Sequence, residues 1–424
     1  MTGDVLGERA EQATGPRPSA FERTDALTTR ARSHDARART RPDVLHDHPP
    51  GRARFPRYFD RARGPHLWDI DGNRYIDFLL GYGPVILGHA DPRITSAATA
   101  AIQHGNCIAP MWSPLQVELT ELLCEIVPGA ESALLLKTGS DATSAAVRVA
   151  RTVTGRPKVL RWGYNGWHDW SVEQPAGVPA TTRSETLLFD PADIEGLRKL
   201  LDSNRGTVAC VVLMPFELDV IPTTQLAAVR EAAHEHDALF VLDEVRSGFR
   251  VALGGAQAYF DVAADIVAFS KAMANGYAIS AITGRSEYLD ALAYTKVSST
   301  FFASPVEMAA AIATLSVLRD TDALARVWHG GERFQNGLRT IVEEVQIEAD
   351  VVGYPPMPFL RFTGAGGVAM ADAFAAAAAQ RGVLLHPGHQ WFVSASHTDE
   401  VVDAALDRCR DAMTDVFRAG ALHQ

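Results

Sequence analysis

Ala238-Leu-Phe-Val-Leu-Asp243-Glu-Val-Arg-Ser-Gly-Phe-Arg250 is an apolar run that stops abruptly on two carboxylates. The chain repeats the device at Val267-Ala-Phe-Ser-Lys271-Ala-Met-Ala-Asn-Gly276, where the run ends on a lysine. Short runs of this kind, apolar at every position, are strands buried on both faces. Working outward, Ala133–Lys137, Lys158–Trp162, Val208–Met214 and Ile266–Phe269 have the same character, and amphipathic helical stretches separate them between residues 130 and 285. That alternation predicts an α/β domain with a mostly parallel sheet covered on both faces. Ligands of such sheets bind beyond the carboxyl ends of the strands, where Asp243 and Lys271 fall.

The rest of the chain is organised around that sheet. Trp68-Asp-Ile-Asp-Gly-Asn-Arg-Tyr-Ile-Asp77 reads as a hairpin with an Asp-Gly-Asn turn, and Pro305 to about Leu318 reads as an alanine-rich helix. With 424 residues, more than one core is expected. We divide the chain into a disordered or partner-ordered extension over 1–41, an N-terminal segment over 42–75 that packs with the small domain, a large domain over 76–318 and a small C-terminal domain over 319–424. No internal repeat is visible. The composition, 47% hydrophobic and 21% charged, is that of a soluble globular protein, and no apolar stretch has membrane-spanning length. A cytoplasmic location is therefore expected. The net charge of −11 speaks against nucleic acid and suits basic ligands. Cys107, Cys124, Cys210 and Cys409 are widely separated with no CxxC spacing, so free thiols are expected rather than a metal site or a disulfide framework.

Four segments carry chemistry. Leu136-Lys-Thr-Gly-Ser-Asp-Ala-Thr-Ser-Ala-Ala-Val-Arg148 passes from strand through a glycine turn into a helix. N–H groups at Gly139 and Ser140 suit a phosphate there, and an ordinary turn with Ser140 as N-cap fits the same residues. Gly163-Tyr-Asn-Gly-Trp-His-Asp169 offers Trp167 as a stacking face for a planar group, or is a surface turn with incidental aromatics. Asp243, at the end of an apolar strand, needs a cationic partner, and a protonated pyridine nitrogen meets that need. Lys271, just past another such strand, suits a partly desolvated nucleophilic amine.

In this order, and with Gly83-Pro-Val-Ile-Leu-Gly-His89 and Ser299-Thr-Phe-Phe-Ala-Ser-Pro305, these blocks resemble the class-III (subgroup II) aminotransferases from about Leu67 to Leu315, in the branch of glutamate-1-semialdehyde aminomutase. The resemblance implies a fold type I enzyme using pyridoxal 5'-phosphate (PLP), a homodimer with shared sites. It implies that Lys271 carries the cofactor covalently, that Asp243 binds its ring nitrogen, and that Val245 and Trp167 pack on the two ring faces. Gly139 and Ser140 would hold the phosphate, Thr300 would reach the phosphate of the neighbouring subunit, and His168 would lie beside the ring.

Two departures bear on the substrate. Met214-Pro215 stands where most of the family has Glu-Pro, and Asn275-Gly-Tyr-Ala278 where it has Gly-Gly-x-Pro. The first disfavours a conventional ω-amino acid. The blocks resemble those of family members acting on amino sugars in aminoglycoside biosynthesis, by α-proton abstraction followed by epimerisation or transamination; a glutamate-1-semialdehyde aminomutase-like enzyme or an ω-amino acid:2-oxo acid transaminase is the alternative. Glu217 is a candidate carboxylate for a polycationic substrate, or a solvated loop charge. Cys107 and Tyr82 are expected on the substrate side. The Cys107 thiol is either a general acid on the face opposite Lys271 or a small wall residue. A dead-site scaffold would need the loss of Lys271 or Asp243, and both are present.

Overall fold

The computed structural model describes residues 21–40, 55–216, 218, 223–364 and 366–421. At its centre seven strands lie in the order Ser132–Leu136, Ser280–Gly284, Ile266–Phe269, Leu239–Asp243, Val208–Leu213, Lys158–Trp162 and Thr186–Leu188. Six of these run in one direction, while Ser280–Gly284 is antiparallel to both of its neighbours, so the sheet is mostly parallel as its sequence predicts. All five strands expected from apolar runs are present. The two others were harder to see: Thr186–Leu188 is a three-residue edge strand, and Ser280–Gly284 is fully buried yet carries only one large apolar side chain.

Helix Gly139–Thr154 lies across one face of this sheet. Its alanine and valine stripe, from Ala142 to Ala150, meets Leu136, Cys210, Val212, Ile266 and Ala268 in one apolar cluster. It stops at Gly155, whose φ of +67° gives the left-handed cap that helix ends favour. The opposite face is closed by a larger core containing Phe216, Phe240, Leu242 and Phe269. Truncating a buried side chain such as Phe240 costs about 3–5 kcal/mol, so this double covering fixes where the strand ends point.

A second sheet joins Phe59–Arg63, His66–Asp69 and Arg74–Asp77, antiparallel, to the C-terminal strand Val383–Leu384, parallel. The Trp68–Asp77 hairpin is thus present, and it pairs directly with the C-terminal part of the chain. A two-stranded ribbon, Ala349–Val352 with Phe359–Phe362, and helices Ala323–Val345, Gly367–Gln380 and Asp399–Ala421 complete that part. Arg250 joins the two halves. Its fully buried guanidinium donates to Gly83 O and Val393 O, both at 2.7 Å, and to Pro356 O at 3.3 Å.

Within the stretch expected to be disordered or partner-ordered, Glu22–His34 and Ala36–Thr40 are helical. The physical reason is a long-range anchor the composition hides: Asp71, in the hairpin turn, accepts from the backbone N–H groups of Arg23 and Thr24 and from the Thr24 hydroxyl. The four cysteines are free thiols. Among the described residues no helix is long and apolar enough to cross a membrane, and no cluster of His, Cys, Asp and Glu is suited to a metal.

Candidate active site

Four strand ends and one helix start converge on a cleft of about 250 Å³ lined by Thr138, Gly139, Ser140, Thr143, Tyr164, Asn165, Gly166, Trp167, Met214, Asp243, Val245, Arg246 and Lys271. Asp243 ends its strand 2% exposed. Its Oδ2 accepts from Asn165 Nδ2 at 2.8 Å and its Oδ1 from the Val245 N–H at 3.1 Å. Burial raises the pKa of this carboxyl, while those two hydrogen bonds and the charges of Lys271 and Arg246 act the other way. A carboxylate so placed is stabilised as an anion by a cation brought into the cleft.

Lys271 opens a single 3-10 turn, Lys271–Ala274, directly after Ser270 and the strand Ile266–Phe269. Its φ of +44° lies in the left-handed region, which costs a non-glycine residue about 1–2 kcal/mol, and the surrounding structure holds it there. Asn275, the residue that departs from the family's glycine, closes the turn at φ +47° and is pinned by the Leu87 N–H at 2.9 Å and Gly88 O at 3.0 Å. Asparagine tolerates that conformation better than most residues, so the departure leaves the turn intact.

At the helix start the cap is Thr138, not Ser140. Thr138 Oγ1 accepts from the Asp141 N–H, and Asp141 Oδ2 accepts from the Thr138 N–H, a reciprocal capping box. Ser140 is thereby left on the cleft wall with Gly139. Gly139 cannot be enlarged, because a Cβ would fall 2.7 Å from Val245 Cγ1. The loop carrying Trp167 crosses Ser140 equally closely: a Cβ on Gly166 would lie 2.5 Å from Ser140 Oγ. Trp167 is 68% exposed on the cleft side, and Val245 lines the cleft from the strand side.

Other expected residues fall elsewhere. His168 does not line the cleft; its Nδ1 bonds Ser144 Oγ at 2.7 Å, and Ser144 also accepts from Trp170 Nε1. Tyr82 lies against His389 and His386, with ring centroids 4.9 and 5.9 Å away, and lines a separate cavity with Phe55, Tyr58 and Asp77. Cys107 and Thr300 are exposed and absent from their own chain's cleft. Glu217 lies outside the described residues. Asn165, Thr143 and Arg246 are cleft residues that the sequence reading did not single out. Asn165 was the legible one, standing between two glycines in a loop already suspected of approaching a ligand.

The donor set fits PLP: first-turn N–H groups beside Ser140 for a phosphate, an apolar and an aromatic wall for a ring, a buried carboxylate for a pyridinium and an amine for a carbonyl carbon. A family model for class-III aminotransferases matches residues 48–172 and 181–417. The chain belongs to the class-III aminotransferases. It is 36% identical over 372 residues to a 3-aminobutyryl-CoA aminotransferase of Cloacimonas acidaminovorans, covering 85% of this chain and 90% of that one. To a 2'-deamino-2'-hydroxyneamine transaminase of Streptomyces kanamyceticus it is 35% identical, covering 88% and 93%. The PLP internal aldimine form of the FumI protein of Sphingopyxis sp. MTA144 superposes with a TM-score of 0.89 at 31% identity over 94% of this chain and 97% of that one. This class-III aminotransferase is therefore an enzyme, and PLP is its cofactor.

Proposed function

We propose that this aminotransferase acts on a primary amine of an amino sugar, with Lys271 as the residue that holds PLP and moves the α-proton. The observation that carries the substrate class is the likeness, along 88% of the chain, to a transaminase of a neamine derivative. Two features support it. Apolar Met214 lines the cleft where most of the family has glutamate, and the net charge of −11 favours approach of a polycation.

PLP, when bound, supplies an electron-withdrawing ring that stabilises negative charge on the carbon bearing the amine. Asp243 keeps the ring nitrogen protonated, and Asn165 and the Val245 N–H hold Asp243 in place. Gly139 and Ser140 hold the phosphate, and Val245 and Trp167 enclose the ring. The Lys271 amine would take the substrate α-proton and deliver it, on the same face, to the carbon contributed by the cofactor's carbonyl rather than back to the substrate carbon, which after hydrolysis gives transamination.

We place the enzyme as a homodimer in which Thr300 and Cys107 face the partner's cleft. Ser304 Oγ, just after the Thr300–Ala303 turn, lies 3.2 Å from Asn106 O, so the turn and the Cys107 loop are neighbours. Met111, Trp112 and Phe301, at 70, 76 and 61% exposure, flank them and call for burial. This placement favours a second outcome, inversion of the amine-bearing carbon, since a Cys107 thiol arriving from the partner supplies a proton carrier away from Lys271.

Incubation with candidate amino sugars in deuterium oxide, with and without a 2-oxo acid, tests the reading. Transamination shows as conversion that requires the acceptor. Inversion shows as deuterium at an inverted carbon without acceptor, and Cys107→Ala then keeps proton exchange but loses inversion by roughly 10²–10⁴-fold. Turnover of ω-amino acids with no amino sugar accepted would contradict the substrate class.

A further inference from the structure

Beyond the cleft lining, the C-terminal part of the chain carries an imidazole cluster next to Gln390, whose Oε1 accepts from the cleft residue Arg246 at 2.8 Å. His389 makes edge contacts with Tyr82 and His386, at centroid separations of 4.9 and 5.8 Å and interplanar angles of 70 and 66°. Phe392 lies 5.8 Å away on another side of the same ring. The turn is firmly built: the Gly388 N–H donates to His386 Nδ1 at 3.0 Å, and Trp391 Nε1 donates to His386 O at 2.8 Å.

The protonation of His389 follows from one contact. Its Nδ1 is 2.8 Å from Gln390 O, and a carbonyl oxygen only accepts, so Nδ1 carries the hydrogen. In a neutral ring that leaves Nε2 as an acceptor. Neutrality is secured by burial, which lowers the pKa to about 4 against the pull of the Gln390 carbonyl, with Arg246, Lys271 and His386 reinforcing it. The hydrogen bond from Arg246 to Gln390 sets the residue that follows His389 beside the cleft, which Arg246 and Lys271 both line.

We infer that His389, held by Tyr82 and His386, is a specificity-determining residue that accepts a hydrogen bond through Nε2 from a hydroxyl or ammonium group of the sugar beside the reacting amine. The inference rests on the amino-sugar reading. An aromatic cluster that carries one acceptor nitrogen suits a ring that presents C–H faces and polar hydrogens together. A simple alkylamine gains nothing from it. A site built to bond a substrate hydroxyl discriminates against analogues lacking it, because its own polar group is then left unpaired.

The test compares glucosamine with cyclohexylamine, a ring amine without hydroxyls, by calorimetric titration of the PLP-loaded enzyme, for wild type, His389→Leu and His389→Gln. Thermal melting confirms that each variant is folded. The expected result is a glucosamine Kd raised about tenfold in His389→Leu, the equivalent of about 1.4 kcal/mol. The cyclohexylamine Kd should change less than twofold, and His389→Gln, which keeps an acceptor, should recover part of the loss. A glucosamine preference that persists in His389→Leu, or an equal loss for both amines, would overturn the inference while leaving the substrate class standing. No preference in the wild type would overturn the amino-sugar reading and this inference with it.

Discussion

Asp243 and Glu244 are adjacent buried carboxyls with opposite tasks. Asp243 faces the cleft and in the proposed mechanism is the group that stays ionised, so Asp243→Asn should retain PLP but lose turnover by about 10²-fold or more, the scale for removing one preorganised electrostatic partner. Steady-state rates on an amino substrate check this, and a wild-type rate would show that another group protonates the ring. Glu244 turns away, accepting from Ser247 Oγ and the Gln257 N–H, and burial pushes its carboxyl up from 4.5 to about 7. A raised folded pKa means that the protonated form is favoured on folding. Its contribution to stability is complete below about pH 4.5 and lost as the pH rises through about 7. Glu244→Gln should therefore flatten the fall in melting temperature between those pH values, and an unchanged profile would assign the fall to other groups.

The contact between the Gly163–Asp169 loop and the start of helix Gly139–Thr154 is decided by missing side chains. Gly166 has a φ of +105°, and a Cβ there would meet Ser140 Oγ. Gly166→Ala should cost about 1–3 kcal/mol in strain and lift Trp167 off the cleft. PLP titration and thermal melting should show weaker cofactor binding together with lower stability, and retained affinity would mean that the loop is not a cofactor wall. At this scale the sequence was legible where apolar runs ended on charge, as at Asp243 and Lys271. It was not legible where position depends on partners far along the chain. His168 has the composition of a site residue but is tied to Ser144, and only the packing of the helix reveals that. Ser140 looked like a cap until Thr138 and Asp141 closed the box without it. His389 gave no signal, since its environment is assembled from Tyr82, His386 and Phe392, and Tyr82 lies some 300 residues away in sequence.

For the whole molecule, the large sheet positions the cleft, Arg250 locks the C-terminal part against it, and Thr300 and Cys107 are exposed outside their own chain's cleft. If Thr300 serves the neighbouring site, mixing Thr300→Ala chains with Lys271→Ala chains should restore activity through heterodimers, each with one site that combines an intact lysine and an intact threonine. Mixtures no more active than their parents would place Thr300 in its own subunit's site. The α/β class, the mostly parallel sheet and the hairpin were legible because they are written in local periodicity; the tether of the first helix to Asp71 was not, because it spans nearly fifty residues. The central claim is that Lys271 holds the cofactor. Borohydride reduction of the PLP-loaded protein, followed by digestion and mass spectrometry, should find PLP on the peptide containing Lys271 and on no other lysine; PLP fixed elsewhere, or none fixed at all, would contradict it.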